Sequence, residues 1–172
     1  HYPLRRQRQM CIRDRVYLGS SGIIENSNKK TLLIDCSTID IESIKTVGIK
    51  ANQYNMNIID APVSGGVVGA DNGTLTFMVG GNEESFNLAL PILNNMGKKV
   101  VHAGDLGSGL AAKICNNMIL GISMIALSES FTMAKKLGLD QNKFFEISSK
   151  ATGMSWACLL YTSPSPRCLL YT

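Results

Sequence analysis

Residues 110 to 129, LAAKICNNMILGISMIALSE, hold one amine, Lys113, in an otherwise apolar run, and nothing else between Asp105 and Glu129 ionises near neutrality. Asn117 follows four positions later. In a helix both side chains leave one face a turn apart, with Asn116 and Leu120 alongside, so they can reach one small ligand together. Early in a helix the positive end of the dipole disfavours an ammonium, and apolar neighbours disfavour it again. A lysine so placed gives up and takes back a proton, as reversible oxidation of an alcohol requires. The structural alternative is a lysine that lays its stem over apolar surface and keeps its ammonium in water.

A second constellation is DAPVSGG, residues 60 to 66. Pro62 fixes its own φ, and Ser64, Gly65 and Gly66 leave backbone N–H groups uncovered, a corner that can hold a carboxylate. The same three residues also make an ordinary glycine-rich turn. GTLTFMVGG, residues 73 to 81, reads as core strand and turn. Ser37 and Thr38 end the run TLLIDCST, where open α/β sheets place ligands. A hydroxyl pair there serves equally as a helix cap. Between residues 16 and 157 there are two cysteines, Cys36 and Cys115, with no CxxC pair, and His102 is the one histidine. No metal site is expected, and a reducing compartment is.

These residues need elements to position them. TLLIDCST predicts a strand, Asp40 an N-cap for a helix over about 41 to 53, and NIIDAPV a second strand, an order that implies a parallel βαβ unit. A glycine-rich loop over 64 to 73 follows, then the strand LTFMVG, a helix from Glu83 to Asn95 despite Pro91, and the strand KVVHAG. The link between the second and third strands is too short for a crossover helix, so that pair is expected to be antiparallel. Ser108 is the candidate cap of a helix running to Leu137, where Gly138 stops it, and Asp140 starts another to about Lys150. The first of these would be roughly 43 Å long, a length that bridges domains. A membrane span would carry Lys113, Asn116, Asn117 and Ser123 into hydrocarbon, so a buried helix of a soluble protein is expected instead.

The chain of 172 residues is 45% hydrophobic, with a formal charge of +4. All six arginines lie in residues 5 to 15 or at 167, while residues 16 to 157 hold eleven lysines against twelve acids. The body therefore carries a net charge of −1 and no basic face for nucleic acid. Cys158 to Thr162 recurs word for word as Cys168 to Thr172 around a Pro/Ser spacer, and HYPLRRQRQMCIRDR has no structural period. Residues 1–15 and 158–172 are accordingly expected to be non-native tails, leaving 16–107 and 108–157 as the two parts of the body. The dinucleotide spacing GxGxxG is absent from both SGGVVG and GDLGSG.

DAPVSGG, GTLTFMVGG and GLAAKICNNM occur in an order and spacing similar to that of the β-hydroxyacid dehydrogenases, and SSGIIENS, LLIDCSTID and GLDQNKFFEI fit the same comparison. The resemblance covers about residues 16 to 157. It implies an α/β fold: the C-terminal part of a Rossmann-type NAD-binding domain with a parallel or mixed sheet, a long interdomain helix, and the start of an all-helical domain. It makes Lys113 the catalytic acid/base, Asn117 a substrate-holding residue, Ser64, Gly65 and Gly66 the substrate carboxylate cradle, and Thr38 a contact to the nicotinamide end of NAD. It also implies hydride transfer between 3-hydroxyisobutyrate and NAD, with NADP as the alternative cofactor, and tartronate semialdehyde or another short β-hydroxyacid as the alternative substrate. A non-catalytic binding module of the same fold is the rival of another class. The implied partner is a small β-hydroxyacid, with no nucleic acid or membrane, in a homo-oligomer of the cytoplasm, or of the mitochondrial matrix in a eukaryote. With the glycine fingerprint and the later helices replaced by the tails, the chain as written is expected to be inactive.

Overall fold

A computed structural model describes residues 15 to 160. The expected non-native tails lie outside these residues, apart from residue 15 and residues 158 to 160. After a helical turn at residues 15–18 come α1 (Ile23–Asn26), β1 (Leu32–Asp35), α2 (Ile41–Gln53), β2 (Asn57–Asp60), β3 (Val63–Ser64), α3 (Gly66–Asp71), β4 (Leu75–Gly80), α4 (Glu83–Leu93), β5 (Gly97–Gly104), α5 (Ser108–Lys136), α6 (Gln141–Ser148) and α7 (Trp156–Leu160). The chain divides into two compact units, His1–Ile114 and Cys115–Thr172, the division falling within α5.

The first unit is a five-stranded mixed sheet of α/β type. β1 and β2 pair in parallel, Leu32 opposite Asn57 through Asp35 opposite Asp60, as the strand–helix–strand order requires. β4 runs antiparallel to its neighbour, as the short link predicts, with Asp60 opposite Gly80, Val63 opposite Phe77 and Ser64 opposite Thr76. These pairings lie in one register, so residues 57 to 64 form one extended run whose first half pairs with β1 and whose second half pairs with β4. The exchange happens at Asp60. Pro62 has no N–H to give, and its carbonyl accepts from the Met78 N–H at 3.0 Å. β5 lies parallel on the other side of β4.

Alternation along residues 57 to 64 sends side chains to two covered faces. Ile58 packs with Ile44, Val47 and Ala51 of α2, and with Leu110 of α5. Ile59, Ala61 and Val63 pack on the opposite face with Phe77, Val79 and, from α4, Ala89 and Leu93. The apolar stripe of α2 faces the sheet because Asp40 fixes its start, accepting from the Ser43 N–H at 2.9 Å. Asn82 does the same for α4 through the Ser85 N–H at 2.8 Å. α4 closes at Leu93, short of the expected Asn95, with Pro91 accommodated inside it and Asn94 capping it through its N–H to the Leu90 carbonyl at 3.0 Å.

Residues 66 to 71, expected as loop, form the short helix α3, closed by bonds such as Gly69 N–H to Gly65 O at 3.0 Å. In the second unit α5 ends at Lys136, and Gly138, whose φ is +78°, turns the chain away two residues later. Phe131 then meets Phe144 of α6 edge-on, with ring centroids 4.8 Å apart. The expectation of a buried α5 is corrected. It is long and apolar enough to cross a membrane, but within the described residues Met118, Ile119, Ile122 and Ile125 are all more than half exposed. The run is apolar on every side, so the few residues packed on it cannot cover it.

Gly80 tests the tightness of the junction at the end of β4. A Cβ there would strike the Asp60 carboxylate and stand 2.8 Å from both the Asp105 carbonyl and the Gly109 nitrogen. Gly80→Ala should lower stability by about 1–3 kcal/mol, measured as a reduced midpoint of urea unfolding.

Candidate functional site

The corner at residues 64 to 66 is built where the extended run leaves β4. Gly65 has φ +137° and Gly66 φ +61°, both in the region that disfavours a side chain. Ser64 is half-buried and both glycines are exposed. The turn leads into α3, whose first N–H groups receive no side-chain cap, so the corner presents donors beside a hydroxyl. Such a corner suits a carboxylate.

Thr38 is exposed three residues beyond the end of β1. The turn carrying it is fixed by the buried Asp35, whose Oδ1 accepts from the Ser37 N–H at 2.8 Å. Asp35 and Asp60 stand opposite each other in register. The Thr38 and Ser64 segments therefore leave the same edge of the parallel pair, where open sheets hold nucleotide cofactors. Ser37 and Thr38 present two exposed hydroxyls at that edge. The glycine-rich loop that cradles a diphosphate is not in the sequence.

Lys113 lies in the second turn of α5, half-buried, and Asn117 follows one turn on, exposed, with Asn116 half-buried beside it. The two predicted side chains share a helix face as their spacing requires. Lys113 belongs to the first compact unit with the Ser64 corner and Thr38; Asn117 belongs to the second.

One residue of this region is not apparent as a site residue from the sequence. Asp60 is fully buried. Its Oδ1 accepts from the Gly107 N–H and its Oδ2 from the Leu110 N–H, each at 2.7 Å. The cap of α5 is therefore Asp60, and the expectation that Ser108 caps it is corrected: the Ser108 N–H itself donates to the Asp105 carbonyl at 2.9 Å. The signal available in the sequence was an acid inside an otherwise apolar strand, which has to find partners when the strand is buried.

Cys36 adjoins the Thr38 turn. Although the residue is exposed, partial desolvation of its thiol pushes its pKa above the ordinary value, and the Asp35 carboxylate pushes it further.

Residues 11–104 match the NAD binding domain of 6-phosphogluconate dehydrogenase, and residues 107–165 match the NAD-binding domain of NADP-dependent 3-hydroxyisobutyrate dehydrogenase. Both matches run a few residues into the segments expected to be tails. The chain is 50% identical to a mitochondrial 3-hydroxyisobutyrate dehydrogenase of Drosophila melanogaster, over 81% of this chain and 43% of the relative. It is 46% identical to a probable mitochondrial 3-hydroxyisobutyrate dehydrogenase of Dictyostelium discoideum, over 88% of this chain and 47% of the relative. Among solved structures, the Mycobacterium tuberculosis 3-hydroxyisobutyrate dehydrogenase with L-serine is 43% identical and superposes with a TM-score of 0.75, covering 83% of this chain and 50% of that one. The chain thus spans about half the length of the relatives it matches.

Fold and matches together define a Rossmann-type NAD-binding domain leading into a further, helical segment. Within that class, the chain belongs to the 3-hydroxyisobutyrate dehydrogenase-like family.

The thiol of Cys36 gives a direct chemical test of the turn at the end of β1. Because its pKa is raised, the reactive thiolate is scarce at neutral pH. Iodoacetamide should label Cys36 more slowly than it labels a small unhindered thiol at pH 7.5, and the rate should keep climbing beyond the pH at which that thiol levels off. Mass spectrometry of the Cys36 peptide measures both.

Proposed function

We propose that the complete protein carrying this segment transfers hydride between 3-hydroxyisobutyrate and NAD, giving methylmalonate semialdehyde, with NADP as the alternative cofactor. One observation carries the reading. The helix that bears Lys113 begins on the strand that ends at Ser64, because Asp60, four residues before Ser64, accepts the Gly107 and Leu110 N–H groups. Lys113 and the Ser64–Gly66 corner thus belong to elements joined at Asp60, which supports assigning them to one site. Kinship with proteins named 3-hydroxyisobutyrate dehydrogenase supports the choice of substrate.

In this reading Ser64, Gly65 and Gly66 hold the substrate carboxylate through the hydroxyl and backbone N–H groups. Asn117 bonds the substrate from the face it shares with Lys113. When bound, a nicotinamide dinucleotide supplies the hydride acceptor, and Thr38 contacts its nicotinamide end. Lys113 removes the proton of the substrate hydroxyl as the carbon beneath it is oxidised, and returns a proton to the carbonyl oxygen in the reverse direction. Residues 16–107 supply part of the dinucleotide-binding domain, and residues 108–157 open the helical domain. Lys113, Asn116 and Asn117 within α5 favour a water-soluble protein, in the cytoplasm or, in a eukaryote, the mitochondrial matrix. The apolar length of α5 favours burial by further helices and a homo-oligomer.

Lys113→Ala or Lys113→Met, in a chain carried to the full length of its relatives, should reduce kcat by at least about two orders of magnitude with dinucleotide binding retained. Unchanged turnover would remove Lys113 from the reaction. Measured on the same protein, kcat/KM should be higher for 3-hydroxyisobutyrate than for tartronate semialdehyde; the opposite order would reassign the substrate within the family.

A further inference from the structure

We infer that Asp60 is a positioning residue for proton transfer: its buried carboxylate fixes the start of α5 so that Lys113 stands at a set place relative to the Ser64–Gly66 corner. This rests on the reading of Lys113 as the proton-transfer group.

Both carboxylate oxygens are committed, to the Gly107 and Leu110 N–H groups at 2.7 Å each, and the residue is fully buried. Leu110 precedes Lys113 by three residues, a rise of about 4.5 Å along the helix. In the other direction, Asp60 and Ser64 share one face of one extended run, about 13 Å apart along it. The carboxylate is therefore the common origin from which both functional positions are measured.

Two further observations show that the surroundings are shaped to this group. A Cβ on Gly80 would strike Oδ1, and one on Gly109 would stand 2.8 Å from Oδ2 while striking the Met78 carbonyl. Both β4 and α5 thus approach Asp60 at backbone distance. Each of the other described helices of eight or more residues is capped by the side chain just before it: Asp40 for α2, Asn82 for α4 and Asp140 for α6. A helix that needed only a cap could be served by a residue next to its own start. Burying an anion in the sheet instead costs solvation, which the two N–H bonds and the helix dipole offset. What the distant cap adds is a fixed relation between strand and helix. An amide could not replace it without rearrangement, since its NH2 group would face one of the two N–H donors.

The test compares Asp60→Asn, Lys113→Ala and the double variant in a chain of full family length. A misplacement of 1 Å can cost about a hundredfold in rate, so Asp60→Asn should lower kcat by about that factor while KM and the dinucleotide Kd change by less than about threefold. Added to Lys113→Ala, it should cause no further loss, because the group it positions is gone. On the present chain, Asp60→Asn should also speed hydrogen exchange at the Leu110 amide. Where Asp60→Asn does not fold, Asp60→Glu, which keeps the charge and shifts it by one methylene, carries the same comparison. A kcat within about threefold of the parent, or an equal loss with and without Lys113, would overturn the inference. Full turnover in Lys113→Ala alone would instead overturn the reading on which it rests, and the inference with it.

Discussion

A buried anion answered by two backbone N–H groups is the constraint around which the first unit is organised. Asp60 sits where an extended run changes partner from β1 to β4, and the N-terminus of α5 is brought to it from 47 to 50 residues away. An unpaired carboxylate in that position would be costly enough to unmake the local fold. Gly80 and Gly109 are explained by the same group, since the backbones they belong to must come within contact distance of it. The strand, the neighbouring strand and the long helix are thereby joined at a single point.

Much of this fold was legible because its signals are local. Asp40 and Asp140 both cap the helices that their position announced, and the short link over residues 64 to 73 required the antiparallel pairing that is observed. LTFMVG forms a strand whose Phe77 and Val79 are in the core, as an apolar run bounded by turn residues should. The short helix α3 was hidden by its composition. Glycines and valines are poor helix formers, and here the positive φ of Gly65 and Gly66 sets up the turn from which the helix starts.

The candidate site residues divide in the same way. Lys113 and Asn117 are singled out by their spacing, and the Ser64 corner by its glycines, all properties of a few consecutive residues. Asp60 belongs to the same DAPVSGG stretch, yet its partners are a fold away in sequence, and no period or cap rule connects residue 60 with residue 110. Ser108 looked like the cap of α5 because a nearby hydroxyl is the usual solution. The exposure of α5 has a related cause: an apolar run announces that something must cover it, without saying which part of the chain does so.

The spacing from Asp60 to Ser64 is even, so the two side chains leave the same side of the run while Ala61 and Val63 enter the opposite core. Parity is what sets the relation between these two side chains. An insertion or deletion of a single residue between them would turn the serine to the opposite side, or else pull the aspartate from its amides. A change of length here is therefore a larger disturbance than a substitution, because it breaks a geometric relation that no side chain can restore.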